Sequence, residues 1–289
     1  MQVEKLENTE EAEKFLLGYM ESSILLLGNL KRYGPSMGDH PNSADFYAIK
    51  DSGRIHGVFA LTKRGTFLIQ TDMRRNYSAL IFPTVDAYSA SVKNFLGNWE
   101  DSYPYVNYHM LEYRDFHLDH MARQRLYCLE LEKAGAAYDE NAFKVRNLVK
   151  EDFDKWVMLR EAYLAEMGYK EDLDAGARQK VFAKQCEEKN SWGGEHAGEL
   201  VCMSGYHSTY KDQCQIGGVY TLPDYRGRQF GHRTMLGIIE DSRERGYKLM
   251  TLLTREDNAP ACALYEGLGF HLRGHFGIFH GSVRLPGKE

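Results

Sequence analysis

Apolar residues recur at helical spacing early in the chain. Ala12, Phe15, Leu16 and Tyr19 follow an Asn8…Glu11 pair laid out like a capping box. Ser22 or Ser23 then caps a second, short helix that carries Leu25, Leu26 and Leu30 and stops near Gly34-Pro35. The period changes after that. Phe46–Ile49, Ile55–Leu61 and Thr66–Gln70 read as a β-meander, with turns at Asp51-Ser52-Gly53 and Arg64-Gly65. Val85–Phe95 reads as a further helix and Arg125–Leu131 as a closing strand.

The second half repeats this order. Glu151–Met167, with Phe153, Trp156, Val157, Tyr163 and Leu164 as apolar positions, and Arg178–Glu188 read as helices. Leu200–His207 and Gln213–Thr221 read as strands, joined by a turn ending at Asp212. Gln229–Arg245 is a helix stopped by Gly246, and Leu249–Thr254 a short buried strand. Asn258–Gly267 is a helix, and Phe270–Phe279 supplies the last strands. Both halves run helix, helix, meander, helix, strand, as a duplicated α+β module would. The small residues Ala134-Gly135-Ala136-Ala137 mark the boundary, giving domains 1–134 and 135–289. A length of 289 residues suits two such domains.

Composition narrows the function. Hydrophobic residues make up 43% and charged residues 27%, which supports packed cores over disorder. A net charge of −5 gives no bulk attraction for nucleic acid. The apolar run Ile24–Leu27 is too short to span a bilayer, and the acidic N-terminus lacks a signal-peptide layout, so a cytoplasmic location is expected. The 5 cysteines are scattered, without a CxxC pair, so neither a disulfide framework nor a zinc site is expected. His117 and His120 form an HxxH pair that reads as a solvated face, lacking a third ligand.

One stretch carries chemistry. A strand ends at Thr221, and Pro223 cannot continue the ladder. Arg226-Gly227-Arg228 leads into a helix, where Gly227 and Gly231 allow a tight turn and a close approach. Free amides and the positive dipole end of that helix, with Arg226, Arg228 and Arg233 against Asp224, form an anion site suited to a diphosphate. The plainer alternative is a connecting turn with surface arginines. The stretch lacks both a Gly-Lys-Ser/Thr phosphate loop and a G-x-G-x-x-G dinucleotide loop.

The segment Val219–Gly231 resembles the main CoA-binding motif of the GNAT superfamily: a strand, a proline, then Arg/Gln-x-x-Gly-x-Gly/Ala opening a helix. Arg226 and Gly231 match its ends; Gln229 stands where the motif has its middle glycine. Asn258–Phe270 resembles the second signature, Asn-x-x-Ala-x-x-Leu-Tyr-x-x-x-Gly-Phe, in the expected order. The resemblance implies a GNAT fold, a mixed and mostly antiparallel sheet flanked by helices, with two modules in tandem. It implies acetyl-CoA as cosubstrate, without a metal, and a small amine acceptor attacked directly in a ternary complex. Backbone groups of Val219, Tyr220 and Thr221 would hold the acetyl carbonyl and pantetheine arm where the strand splays from its neighbour. Amides of Arg226, Gly227, Arg228, Gln229, Phe230, Gly231 and His232 would cradle the diphosphate. Asn258 would bond the pantetheine arm, and Tyr265 would protonate the departing thiolate. Without the resemblance, Tyr265 reads as core packing.

Other readings stay open. The general base is not legible: Glu166, Glu195, Glu199 and His207 are candidates, each equally readable as surface charge. Cys214 as an acyl carrier lacks an activating base beside it in sequence. The first half has no CoA motif and reads as a degenerate GNAT-like module, a scaffold or substrate wall. Its Tyr103, Tyr105, Tyr108, His109 and Tyr113 read as core packing, or as an acceptor-pocket lining. The alternatives to acetyl transfer are a non-catalytic acyl-CoA-binding or regulatory protein and an enzyme that uses a longer acyl-CoA.

Overall fold

The computed structural model describes residues 1–88, 92–135, 138–139, 143–168 and 173–283. They form two compact units interleaved along the chain. The first takes Met1–Tyr127, Leu253–Asn258 and the chain from Leu272 on; the second takes Cys128–Leu252 and Ala259–His271. A single cut at residue 134 therefore does not separate them.

The first unit opens with β1 (Gln2–Lys5), α1 (Glu10–Leu17) and α2 (Met20–Tyr33), followed by the meander β2 (Ala44–Asp51), β3 (Arg54–Thr62) and β4 (Thr66–Thr71). Asn8 accepts the Glu10 amide at 2.9 Å, two residues on, in place of the expected capping box. Ser22 and Ser23 do not cap α2 but lie inside it. Ser22 donates to Gln70 Oε1 at 2.6 Å, so both hydroxyls tie the helix to buried Gln70 on β4. The helix ends at Gly34, at φ 79°, as the sequence predicts.

Of the helix expected over Val85–Phe95, residues 89–91 lie outside the described residues, Val85 and Asp86 end a helix that starts earlier, and Asn94 and Phe95 open a strand. The earlier helix, α3 (Ser78–Asp86), is followed by β5 (Asn94–Asn98), α4 (Trp99–Glu112) and β6 (Phe116–Glu130). Pro83 and Pro104 inside α3 and α4 obscure both helices in the sequence, because proline removes a helical donor. Of the aromatic stretch, Tyr113 lies just past α4 and Tyr103 is exposed, while Tyr105 and His109 on α4 serve the core. Tyr105 is fully buried, stacked on Phe67 at 4.5 Å, and His109 packs on Phe95 at 5.2 Å. Burial pushes the His109 imidazole down to about 4. Phe59, Phe67, Phe95 and Phe279 complete this core, and a large apolar side chain contributes about 1.5–3 kcal/mol when fully buried. Phe279 comes from β12 (His271–Val283), which pairs antiparallel with β5 from Phe276↔Asn98 to His280↔Asn94. The chain's last strand thus completes the first unit's sheet.

The second unit contains β7 (Lys144–Asn147), α5 (Phe153–Met167), α6 (Ala175–Glu187), β8 (Ser191–His196), β9 (Glu199–Tyr210), β10 (Gln213–Thr221), α7 (Phe230–Glu244), β11 (Leu249–Arg255) as far as Leu252, and α8 (Ala259–Gly267). Its strand order is β11-β10-β9-β8-β7, with β10 parallel to β11 and the other neighbours antiparallel. Short β7 and β8 escape the sequence pattern. Gly193 and Gly194 of β8 leave room for Leu200, Leu148 and Phe143, so this strand has gaps where a hydrophobic alternation would show. Trp156, Leu159 and Phe182 of α5 and α6 pack with Met203 and Tyr220 on one face of the sheet. Tyr206 faces α7, where its hydroxyl meets Ser242 at 2.6 Å.

Candidate active site

The site is built where β10 leaves its parallel neighbour. The β10–β11 ladder runs only from Gln213↔Leu249 to Ile216↔Leu252, so Gly217–Thr221 continue without a β11 partner. On the other side β10 pairs with β9, but the register slips. Gly217 faces Gly205 and Tyr220 faces Met203, so β10 carries one extra residue between them. Gly218 sits in this bulge at φ 60°, a conformation that suits glycine. The bulge turns backbone groups near Val219 out of the ladder, which is what holding a carbonyl from the main chain requires.

Past Pro223, residues Arg226–Gln229 form the turn into α7. The helix starts without a side-chain cap, and the Arg233 amide donating to Gln229 O at 3.0 Å is its first bond. The first-turn amides of Phe230, Gly231 and His232 therefore point out of the positive end of the helix dipole. A Cβ on Gly231 would lie 3.1 Å from Thr221 Oγ1 and 3.9 Å from Leu264, so glycine lets this end of α7 approach β10 and α8. Gln229 holds φ 61°, the left-handed region, with its side chain exposed.

Both arginines of the turn are tethered. Arg226 donates to Thr221 O at 3.0 Å and to Glu166 of α5 at 2.6 Å, and lies 5.3 Å over the Tyr220 ring. Arg228 lies 5.0 Å over Phe230 and 3.4 Å from His196 Nε2. Tyr220 is buried; burial raises its phenol above the ordinary value, and Glu166 adds to the effect while Arg226 opposes it.

Tyr265 on α8 is buried beside Tyr163 and Cys262, and burial holds its phenol above the usual range, protonated at neutral pH. Tyr163 in turn meets Tyr220 edge-on at 5.9 Å. The structure thus brings Tyr265, Tyr163 and the end of β10 together, and Tyr163 and the Gly217-Gly218 bulge were missed from the sequence. A glycine pair inside a strand pattern is the signal that marks such a bulge. Asn258 lies just ahead of α8, in the segment grouped with the first unit, where its amide donates to Arg255 O at 3.1 Å.

The candidate bases separate. Glu166 is paired with Arg226. For Glu195, burial works against its charge, but Arg146 and Lys144 outweigh it and hold the carboxyl below the usual range. Glu199 is exposed, 4.0 Å from Lys155. His207 lies against Gly217. Cys214 is fully buried in β10, and burial pushes its thiol up to about 12, the opposite of an activated nucleophile. His117 and His120 lie three apart on β6, which places them on opposite faces of a strand, and the described residues hold no metal-binding group of three.

Residues 156–270 match the model of the Acetyltransferase (GNAT) family. The domain they form is a GNAT-family domain. The uncharacterized N-acetyltransferase YjgM of Escherichia coli (strain K12) is 35% identical over 82 residues, 27% of this chain and 49% of that protein; the chain spans about half the length of this relative. An uncharacterized N-acetyltransferase of Schizosaccharomyces pombe is 28% identical over 130 residues, 42% of this chain and 77% of that one. Among solved structures, a Drosophila protein superposes with a TM-score of 0.66 at 13% identity, covering 96% of this chain and 97% of that one. A tandem GNAT protein from the clavulanic acid biosynthesis pathway gives 0.53 at 15% identity, covering 99% of each chain. The fold is that of two GNAT modules in tandem.

Proposed function

We propose that the second module is an acetyl-CoA-dependent N-acetyltransferase that transfers its acetyl group to a small primary amine by direct attack. The observation that carries this reading is the end of the β10–β11 ladder at Ile216↔Leu252, followed by a bulge and a capless helix N-terminus. Amides at Arg226–His232 receive the diphosphate, and those at Val219–Thr221 receive the thioester carbonyl and stabilise the oxyanion that develops on attack. Asn258 bonds the pantetheine arm. Tyr265, kept protonated by burial, gives its proton to the leaving thiolate. The first module takes no acetyl-CoA, because its corresponding strand ends carry bulky polar side chains in place of glycines.

Calorimetry with acetyl-CoA and release of free thiol with a panel of primary amines test the reading. The panel spans a polyamine, an arylethylamine, free amino acids and an aminoglycoside. Saturable binding at one site per chain and thiol release with one amine class are expected. Absence of binding overturns the reading. Binding without release from any amine makes the protein an acyl-CoA binder, and preference for a longer acyl-CoA revises the donor.

A further inference from the structure

We propose that His207 is the group that takes the proton from the attacking amine. The inference rests on the reading above and assigns the base that the sequence leaves open.

His207 is an extra residue on β9. Gln215 pairs with Ser208 and Ile216 with Tyr206, so His207 falls between them without a partner on β10. That bulge turns its imidazole across the neighbouring strand, over Gly217. A Cβ at Gly217 would stand 2.1 Å from His207 Cε1, 2.3 Å from Nε2 and 2.5 Å from Nδ1, an overlap no side chain tolerates. Glycine at this position makes room for a ring delivered from β9. Gly217 is also the first residue beyond the β10–β11 ladder, two residues before Val219. A strand advances about 3.3 Å per residue, so the ring stands within reach of an amine poised at a carbonyl held near Val219.

The surroundings favour the neutral ring. His207 is open to solvent, but protein crowds its other sides and, with the Arg160 guanidinium of α5, holds its imidazole below the ordinary value. Gln215, Ile216, Gly217, Gly218 and Val219 present no ionisable group from β10. Glu166, a carboxylate candidate for the base, is committed to Arg226 at 2.6 Å. Gly217 and Tyr220 pair with Gly205 and Met203, two residues apart on β9, so both share the face of the sheet on which Tyr220 packs with α5.

The step balances. The amine nitrogen bonds to the thioester carbonyl carbon and its proton passes to the His207 imidazole. The carbon–sulfur bond then breaks, and sulfur takes the Tyr265 proton. His207 returns its proton through solvent and Tyr265 is reprotonated, leaving amide and free thiol.

Two measurements test this. In protein carrying ring-labelled histidine, the His207 signal, assigned by its loss in His207→Gln, should shift on saturation with acetyl-CoA. Calorimetric binding of acetyl-CoA with no shift at His207 overturns the inference and spares the parent reading; loss of binding overturns both. With the most active amine of the panel, His207→Gln and His207→Ala should bind acetyl-CoA within about twofold of wild type while kcat/KM falls roughly a hundredfold or more. The acid limb of the pH profile should disappear, and added imidazole should restore part of the His207→Ala rate. Unchanged kcat/KM with the acid limb intact sinks the assignment.

Discussion

The two modules reach the same point in the fold and then part company. In the first, β4 pairs in parallel with β5 from Thr66↔Asn94 to Ile69↔Gly97; in the second, β10 pairs with β11 from Gln213↔Leu249 to Ile216↔Leu252. Both ladders stop after the same number of residues. Beyond the stop, the second module has Gly217, Gly218 and Val219, which offer backbone. The first has Gln70 and Thr71, whose side chains are engaged. Gln70 Oε1 accepts from Ser22 and from Asn98 at 3.1 Å, and Thr71 gives its amide to Asp101 at 2.8 Å and its hydroxyl to the same carboxylate. The turns that follow carry the same charges, two arginines and one aspartate: Arg226, Arg228 and Asp224 before α7, Arg74, Arg75 and Asp72 before α3. They differ in where the carboxylate stands: Asp224 is exposed, whereas Asp72 is bonded to His56 and Tyr77 and lies 3.4 Å from Arg74. Burial opposes the Asp72 charge, but Tyr77 and His56 hold its carboxyl below the usual range, so a charged carboxylate occupies the turn ahead of α3. Topology supplies the place for a ligand; the few residues past the ladder decide whether it is open.

The largest expected effect sharpens this contrast at Tyr265. Tyr265→Phe keeps the buried ring and removes the proton. It should lower kcat by about 10²–10⁴ with acetyl-CoA affinity unchanged, measured by thiol release and calorimetry. An equal loss of binding would reassign Tyr265 to packing.

Next is the closed end of the first module. Burial raises the Asp101 carboxyl to about 6, while its bonds from Thr71 work the other way. A folded-state value above the unfolded one means that the folded protein holds the proton more tightly. The ionised group therefore costs stability fully above about pH 6, and the cost vanishes as pH falls through the unfolded value. This is the reverse of Asp152, whose bonds to Arg146 depress its value. Because other carboxylates lose stability over the same range, the quantity to measure is the difference from Asp101→Asn in denaturant midpoints. Wild type should gain up to about 3 kcal/mol on the variant between about pH 7 and about pH 4. A flat difference would refute the burial of a charge there.

A smaller effect is expected at Arg226. Its pair with Glu166 is half exposed, so its contribution to stability is at most about 1 kcal/mol. Arg226→Ala should therefore leave the melting temperature nearly unchanged, and weaken acetyl-CoA binding by about tenfold at low salt and less at high salt. The matching change in the first module, Arg74→Ala, should leave acetyl-CoA binding untouched.

What was legible in the sequence follows the same division. The strand Gln213–Thr221 and the helices on either side of β11 were readable because glycine, proline and apolar period agree there. Helices α3 and α4 were not, since internal prolines and a core-facing row of aromatics blur the period. The placement of β12 beside β5 is a long-range pairing, and nothing local to Phe270–Phe279 encodes it. In the candidate site, the turn into α7 was readable as an anion site from its glycines, arginines and helix start, whereas the role proposed for Tyr265 comes only from the resemblance. The His207–Gly217 contact was not readable, because it depends on a register slip between β9 and β10 that only the assembled sheet reveals.

The smallest predicted effect concerns Gln229, where sequence and structure meet most directly. The motif that this turn resembles has glycine at the position, and the structure shows the reason: φ is 61°, in the left-handed region. A non-glycine residue costs roughly 1–2 kcal/mol there, against which glycine's extra freedom in the unfolded chain takes back part. Gln229→Gly should therefore stabilise the protein by about 0.5–1 kcal/mol, read as a small rise in the denaturant midpoint at unchanged slope. Since the Gln229 side chain is exposed and the proposed diphosphate contact comes from its own amide, acetyl-CoA affinity should change by less than about threefold. A large gain in affinity without a gain in stability would mean that the glutamine side chain, and not its backbone, obstructs the cradle. The second module would then also be partly closed, and the contrast with the first would become one of degree.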